Sequence, residues 1–250
     1  MQRWPSLPDP GLTSERLLKK IGPSVIPTDV HAVTRVWDNL SILEENIDGP
    51  GYLLPLGKLG AEIIVREADP IERQRFTIAH EVGHWILGIT CEQKTGEFRQ
   101  PTGPRSEVIE KWCDTFAASF LIPRNSLLEY FSGVCDSAFP RHLLNASKRF
   151  KVSEEAMFLR AYEVLGTRIA YVHCDALRPR IARSFVPRDL TAEMETVLAA
   201  PSAQELFRSE GLSLRMRLGS TTFVCCWSRL SDSSKNILIL NPCVTPPASS

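Results

Sequence analysis

His80-Glu81-Val82-Gly83-His84 constrains this chain more than any other feature. It is an H-E-x-x-H pentapeptide inside a stretch that reads as a helix. Histidines four residues apart share one helix face, so both rings can reach a single zinc ion. The intervening Glu81 is then placed to take a proton from an attacking water. The flanks support the helix. Asp69-Pro70-Ile71-Glu72 offers an acidic N-cap, a proline at the first helical position and a glutamate at the third, the pattern of a capping box. Ile71, Ile78, Val82, Trp85 and Ile86 recur at helical spacing, with Phe76 and Leu87 nearer the histidines, so the helix should be largely buried. Gly88 is the expected stop. Gly83 carries a propensity cost that makes sense if something must approach the backbone there.

A catalytic zinc takes three protein ligands and keeps one position open. The best source of the third is Glu110-Lys111-Trp112-Cys113-Asp114. Ser106 can cap a second helix there, Ile109, Trp112, Cys113, Phe116 and Phe120 form its apolar stripe, and Pro123 closes it. Glu110 and Asp114 lie one turn apart on one face. One carboxylate can bind the metal while the other accepts a proton from the far nitrogen of a ligating histidine. Taken singly, either carboxylate reads as a solvated charge, and a buried histidine pair can be purely structural. The trio on one helix, followed by carboxylates at i and i+4 on the next, favours zinc.

Arg75-Phe76-Thr77-Ile78-Ala79-His80-Glu81-Val82-Gly83-His84 resembles the R-F-T-x-A-H-E-x-G-H signature of the ImmA/IrrE-type metallo-endopeptidases. The run from Ile109-Glu110 through Phe116-Ala117-Ala118 to Leu121-Ile122-Pro123 resembles that family's I-E-x-x-A-N-x-F-A-A-x-L-L-M-P block. The resemblance spans about Ile21 to Leu165. It implies that His80, His84 and Glu110 hold zinc and that Glu81 is the catalytic base. The Glu110-to-Asp114 spacing also resembles the E-x-x-x-D of thermolysin-like gluzincins, with Asp114 orienting a ligand. The implied partner is a helix-turn-helix transcriptional repressor, cleaved once to release its genes. Two positions depart from the family pattern: Cys113 stands for the usual alanine and Asp114 for the usual asparagine. Asp serves equally as an acceptor, and packing is the simplest use for Cys113.

Composition fits a soluble enzyme. With 250 residues and 43% hydrophobic content, the chain can hold one sizeable domain plus a small one. No run of about 18 apolar residues occurs, so no membrane span is expected. Met1 to Pro10 has three prolines and no apolar core, unlike a signal peptide. Zero formal net charge argues against broad phosphate binding, so direct nucleic-acid binding is not expected. Seven cysteines, an odd count with no C-x-x-C spacing, fit a reduced cytoplasmic protein.

The expected fold is α+β in four stretches: a tail at 1–10, a zinc-peptidase core at 11–125, a helix-turn-helix-like segment at 126–166, and a small C-terminal α+β domain of unassigned role at 167–250. In the core, helices are expected over Ser14 to Lys20 and Thr28 to Leu40. A hairpin should join strands Tyr52–Leu56 and Ala61–Val65. Ile63, Ile64 and Val65 are the expected edge strand that receives an extended substrate. Cys91 to Pro104 reads as a loop on the cleft rim. Short helices follow at Ser126–Tyr130, Leu143–Phe150 and Ser153–Leu165, the last capped by Ser153. Beyond Arg168, strands are expected near 169–174, 181–186, 212–218, 222–228 and 237–240, with helices at 190–199 and 203–208. His142, Tyr130 and His173 are candidate oxyanion donors, each with a ready structural use as well. The competing functional reading is a regulatory DNA- or protein-binding module with a structural zinc. An intact Glu81 speaks for the enzyme, since structural zinc needs no base.

Overall fold

The computed structural model describes residues 7–22, 25–95, 106–135, 138–166, 170–175, 181–185, 213–218, 221–229 and 235–243, with side chains at 7–22, 25–88, 107–135 and 138–166. The architecture is α+β, in two compact units: residues 1–127 with 148–156, and residues 128–147 with 157–250. Among the described residues no helix is long and apolar enough to cross a membrane.

The first unit opens with α1, Pro10–Ile21. The Asp9 carboxylate accepts from the Leu12 N–H at 2.7 Å, so the helix starts earlier than apolar spacing alone suggests. The helix expected over residues 28–40 does not form. Val30–Arg35 is a 3-10 turn capped by Asp29, and Leu40–Glu45 is a strand, β1. Val30, Val33 and Val36 recur every third residue, a spacing that suits a 3-10 turn as well as an α-helix.

β2 (Tyr52–Pro55) and β3 (Ala61–Arg66) form the expected antiparallel hairpin. β1 adds parallel to the other side of β3, giving the order β1-β3-β2. This corrects the substrate-strand expectation. Ile63, Ile64 and Val65 sit in the central strand, hydrogen-bonded on both sides and almost fully buried, so they have no edge to offer. The open edge of the hairpin belongs to β2.

α2 spans Ile71–Thr95. Its first turn is bonded to the Pro70 carbonyl. Gln74 donates to the Arg66 and Glu67 carbonyls at 3.2 and 2.9 Å, clamping the helix start to the end of β3. Of the expected stripe, Ile78, Val82 and Trp85 are buried, Ile86 is half-buried and Ile71 is exposed; Leu87, nearer the histidines, is buried too. Gly88 does not stop the helix. It is buried inside it, and Cys91 to Thr95 are helical rather than loop. A glycine stops a helix only where the chain turns into the left-handed region; elsewhere it costs about 1 kcal/mol, which packing can offset. The rest of the expected loop, 96–105, lies outside the described residues.

α3, Ser106–Leu121, packs its expected stripe inward. Trp112, Phe116 and Phe120 stack one turn apart, with centroids 5.5 and 5.9 Å apart. α4 (Arg124–Tyr130), α5 (Phe139–Phe150) and α6 (Glu154–Leu165) follow. The Ser153 hydroxyl caps α6, accepting from the Ala156 N–H at 3.1 Å. In the second unit, β4 (Ala170–Asp175), β5 (Ile181–Phe185), β6 (Ser213–Leu218), β7 (Thr221–Arg229) and β8 (Lys235–Cys243) form one antiparallel sheet, ordered β5-β4-β8-β7-β6. The helices expected at 190–199 and 203–208 lie outside the described residues.

Candidate metal centre

α2 and α3 bring three donor groups to one point. His80 Nε2 lies 3.1 Å from His84 Nε2 and 3.1 Å from Glu110 Oε2, and His84 Nε2 lies 3.4 Å from Glu110 Oε1. Ligands about 2.0–2.1 Å from a tetrahedral metal stand about 3.3–3.4 Å from each other, so this triangle has the size of one tetrahedral face. Its electrostatics ask for a cation. His80 Nδ1 sits 2.9 Å from Asp114 Oδ1 and donates to it, which leaves Nε2 as a lone pair in the neutral ring. That lone pair then faces a second imidazole and a carboxylate, and only a proton or a metal ion relieves the repulsion. In the metal-free protein burial opposes charging His80. The hydrogen bond to Asp114 and the charges of Glu81, Asp114 and Glu110 outweigh it and raise the pKa. Burial and the neighbouring His80 lower that of His84. His84 Nδ1 is buried with no hydrogen-bond partner among the described residues. The arrangement can hold one metal ion, with Asp114 fixing the His80 tautomer.

Glu81 is nearly buried beside this triangle. Burial, aided by the charge of Glu110, pushes its carboxyl up to about 7, against the lowering effects of His80 and a hydrogen bond from the Leu53 backbone. A carboxyl balanced near neutrality can both accept and return a proton.

Cys113 is a further donor at the site, with Sγ and the two histidine nitrogens within 4.8 Å of one another. It is fully buried. Burial and the charges of Glu110, Glu81 and Asp114 drive its thiol pKa far upward. In the metal-free protein the thiol is therefore protonated, and it packs against Gly83 of α2. Cys91 lies on α2, with its side chain outside the described residues.

Residues 39–162 match the model of the IrrE N-terminal-like domain, a peptidase family. This segment, just under half of the chain, is what carries the likeness to that family. It is 30% identical over 145 residues to the radiation response metalloprotease IrrE of Deinococcus radiodurans, a match covering 58% of this chain and 41% of that protein. The chain thus spans about two fifths of that relative's length. In fold it resembles a Mycobacterium tuberculosis transcriptional regulator, with a TM-score of 0.57 at 13% identity over 95% of this chain and 89% of the other.

The IrrE-like segment contains the whole donor triangle, with Glu81, Asp114 and Cys113. The three candidate oxyanion donors belong to the other compact unit. There His142 Nε2 meets the Tyr130 carbonyl at 3.1 Å and the two rings lie 4.6 Å apart, a structural use for both. His173 lies in β4, opposite Arg183 and Ile237. Sequence reasoning gave no role to two residues of the IrrE-like core. Leu53 supplies a main-chain donor to Glu81, signalled only by Pro55, which marks β2 as an edge. Arg75 is a buried staple, its Nε donating to the Lys151 carbonyl at 3.1 Å and its NH2 to the Thr28 carbonyl at 2.8 Å.

Proposed function

We propose that this chain is a zinc-dependent endopeptidase of the cytoplasm that cleaves a helix-turn-helix transcriptional repressor. The observation that carries the enzymatic reading is the convergence of His80, His84 and Glu110 within 3.4 Å, with the buried Glu81 carboxyl beside them. In this reading those three residues hold the zinc. When bound, the ion supplies Lewis acidity that acidifies water and polarises the scissile carbonyl. Glu81 accepts the proton of the attacking water and delivers it to the leaving amine, and the burial that raises its carboxyl pKa in the metal-free protein makes it the stronger base. Asp114 keeps His80 Nδ1 protonated and its Nε2 free to bind.

A structural zinc needs no buried carboxyl at its side, so Glu81 favours the enzyme over a binding module. The repressor as substrate rests on the resemblance of the two sequence blocks to the ImmA/IrrE-type peptidases. The test is to incubate the zinc-loaded protein with a repressor encoded beside its gene and, separately, with casein, and to map fragments by mass spectrometry. A single cut in the repressor, absent in Glu81→Gln, is expected. Degradation of casein at many sites with the repressor intact would point to a general peptidase. No cleavage of either would return the binding-module reading.

A further inference from the structure

We propose that the sheet face turned away from α2 docks a Lys- and Arg-rich helix of the protein partner, the helix with which a helix-turn-helix repressor meets DNA. The identity of that partner rests on the proposed function; the surface follows from the strand register. Residues level with one another across β1, β3 and β2 share a face. Leu53, Ala61, Ile63 and Val65 lie on one face, all four are buried, and α2 packs against these strands. The opposite face sets Leu43, Ile64 and Tyr52 in one row and Glu62 beside Leu54 in the next. A sheet face made for water carries polar side chains at its outward positions. Here Leu43, Tyr52 and Leu54 are each more than a third exposed, and the turn after β2 adds exposed Leu56 and Leu59. Exposed apolar groups gathered in one place mark a contact surface.

Charge selects the occupant. The chain is neutral overall, yet residues 40–67 hold Glu44, Glu45, Asp48, Glu62 and Glu67 against only Lys58 and Arg66. None of these five carboxylates makes an ion pair among the described residues. The Glu67 N–H donates to the Glu45 carbonyl at 2.9 Å, which gathers acidic residues at one end of the sheet. A second copy of the chain would bring like charges together, so self-association through this face is opposed. A basic helix satisfies both features at once. Lys and Arg stems lie along apolar side chains while their heads reach carboxylates, and a guanidinium stacks well on a tyrosine ring such as Tyr52. Three strands about 4.8 Å apart form a strip about 10 Å across, the width of one helix. A repressor must own such a helix, because its DNA contacts answer phosphates. Docked here, that helix is not free to hold DNA.

The test reads binding without turnover, between zinc-loaded Glu81→Gln protein and the repressor encoded beside its gene, by fluorescence anisotropy. Two further substitutions, Glu62→Lys and Glu15→Lys, change the net charge equally, and Glu15 is exposed on α1. Only Glu62→Lys should weaken binding, by at least tenfold. Leu54→Ser, which leaves the charge alone, should weaken it to a similar extent. Retained zinc and helical content show that each variant is folded. Binding should weaken as salt rises, and operator DNA should compete for the repressor. Equal losses in Glu62→Lys and Glu15→Lys, or no binding by the parent protein, would overturn the surface. Binding that operator DNA leaves untouched would overturn the assignment of the helix. A dimer of the chain alone that Leu54→Ser dissociates would give the face to a second copy instead. Kinetics with Glu81 intact separate this proposal from the peptidase reading. Glu62→Lys should raise KM for the repressor at constant kcat and cut a short peptide spanning the site as wild type does. Unchanged KM would sink the docking surface alone. Docking as described with no cleavage would sink the peptidase reading alone.

Discussion

Gly83 on α2 meets Cys113 on α3 so closely that a Cβ added to Gly83 would stand 3.2 Å from Cys113 Sγ and 3.3 Å from its Cα and Cβ. Each contact residue is flanked in the same way. His80 and His84 stand three residues before and one after Gly83; Glu110 and Asp114 stand three before and one after Cys113. The approach of these two backbones therefore sets how close the two pairs of functional side chains come. Gly83→Ala should push the helices apart by a few tenths of an ångström, while a metal site holds its ligand distances to about 0.2 Å. We expect zinc affinity to fall at least tenfold with helical content preserved, read by competition with a chelator and by circular dichroism. Cys113→Ala should keep zinc and cost about 1 kcal/mol of stability, because it removes one buried atom and adds none. Wild-type affinity in Gly83→Ala would show that the interface is not what sets the ligand geometry.

The donor triangle fixes a metal inventory. Purified protein should hold one zinc per chain, lost in His80→Ala, His84→Ala and Glu110→Ala and kept in Glu81→Gln. Asp114→Ala removes only the acceptor for His80 Nδ1, so it should weaken zinc binding roughly 10–100-fold and leave the fold intact. Elemental analysis and a chelator titration measure the two effects. Full zinc content in Glu110→Ala would strike that residue from the ligand set.

Glu81 makes a prediction about stability as well as rate. Its carboxyl rises from the ordinary 4.5 to about 7 on folding, chiefly through burial. Between these values the folded chain binds more protons than the unfolded one, so this group's contribution is full below pH 4.5 and is lost as pH rises through 7. Above pH 7 the buried charge costs roughly 3 kcal/mol relative to a neutral isostere. Metal-free Glu81→Gln should therefore be more stable than wild type in urea at pH 8, with the difference closing towards pH 4.5. In the zinc enzyme the same group must be ionised to accept a proton, and the adjacent cation favours that form, so the acid limb of kcat/KM should lie below the pH at which the metal-free carboxyl titrates. A pH-independent stability difference would mean that Glu81 ionises as freely as in the unfolded chain.

What the sequence made legible here was local. The four-residue spacing of His80 and His84, and of Glu110 and Asp114, places each pair on one helical face whatever surrounds it. The structure separates the two carboxylates: Glu110 faces two Nε2 atoms and Asp114 faces Nδ1. Features that depend on a distant neighbour were not legible. β1 pairs with β3 about twenty residues away, so its residues carry no periodic signature of their own. β3 reads as an apolar strand whether central or at an edge, and only the partner on its far side decides. The Leu53 amide is invisible in any side-chain pattern. Gly83 was a local anomaly with a non-local cause, and its meaning came with Cys113.

Arg75 is the strongest non-local case. Seven per cent exposed, it joins the first turns of α2 to two carbonyls far off in sequence, at Thr28 and Lys151. Lys151 occupies the left-handed region at φ 52° in the turn between α5 and α6, so the bond secures a conformation that a residue with a Cβ adopts reluctantly. Burial lowers the guanidinium pKa, and the charges of Asp29 and Glu72 work against that. Arg75→Met keeps the apolar stem but strands both carbonyls, at about 1–3 kcal/mol for each one that water cannot reach. We expect a net loss of about 2–4 kcal/mol in urea unfolding, with zinc content retained because no ligand is touched. Arg75→Lys, with one donor group in place of a planar fork, can reach only one of the two carbonyls and should recover part of the loss. Amide exchange should accelerate first around 148–156, where the left-handed turn loses its tether. Stability within 0.5 kcal/mol of wild type, or acceleration spread evenly over the first unit, would mean that the turn holds itself and that Arg75 is packing alone.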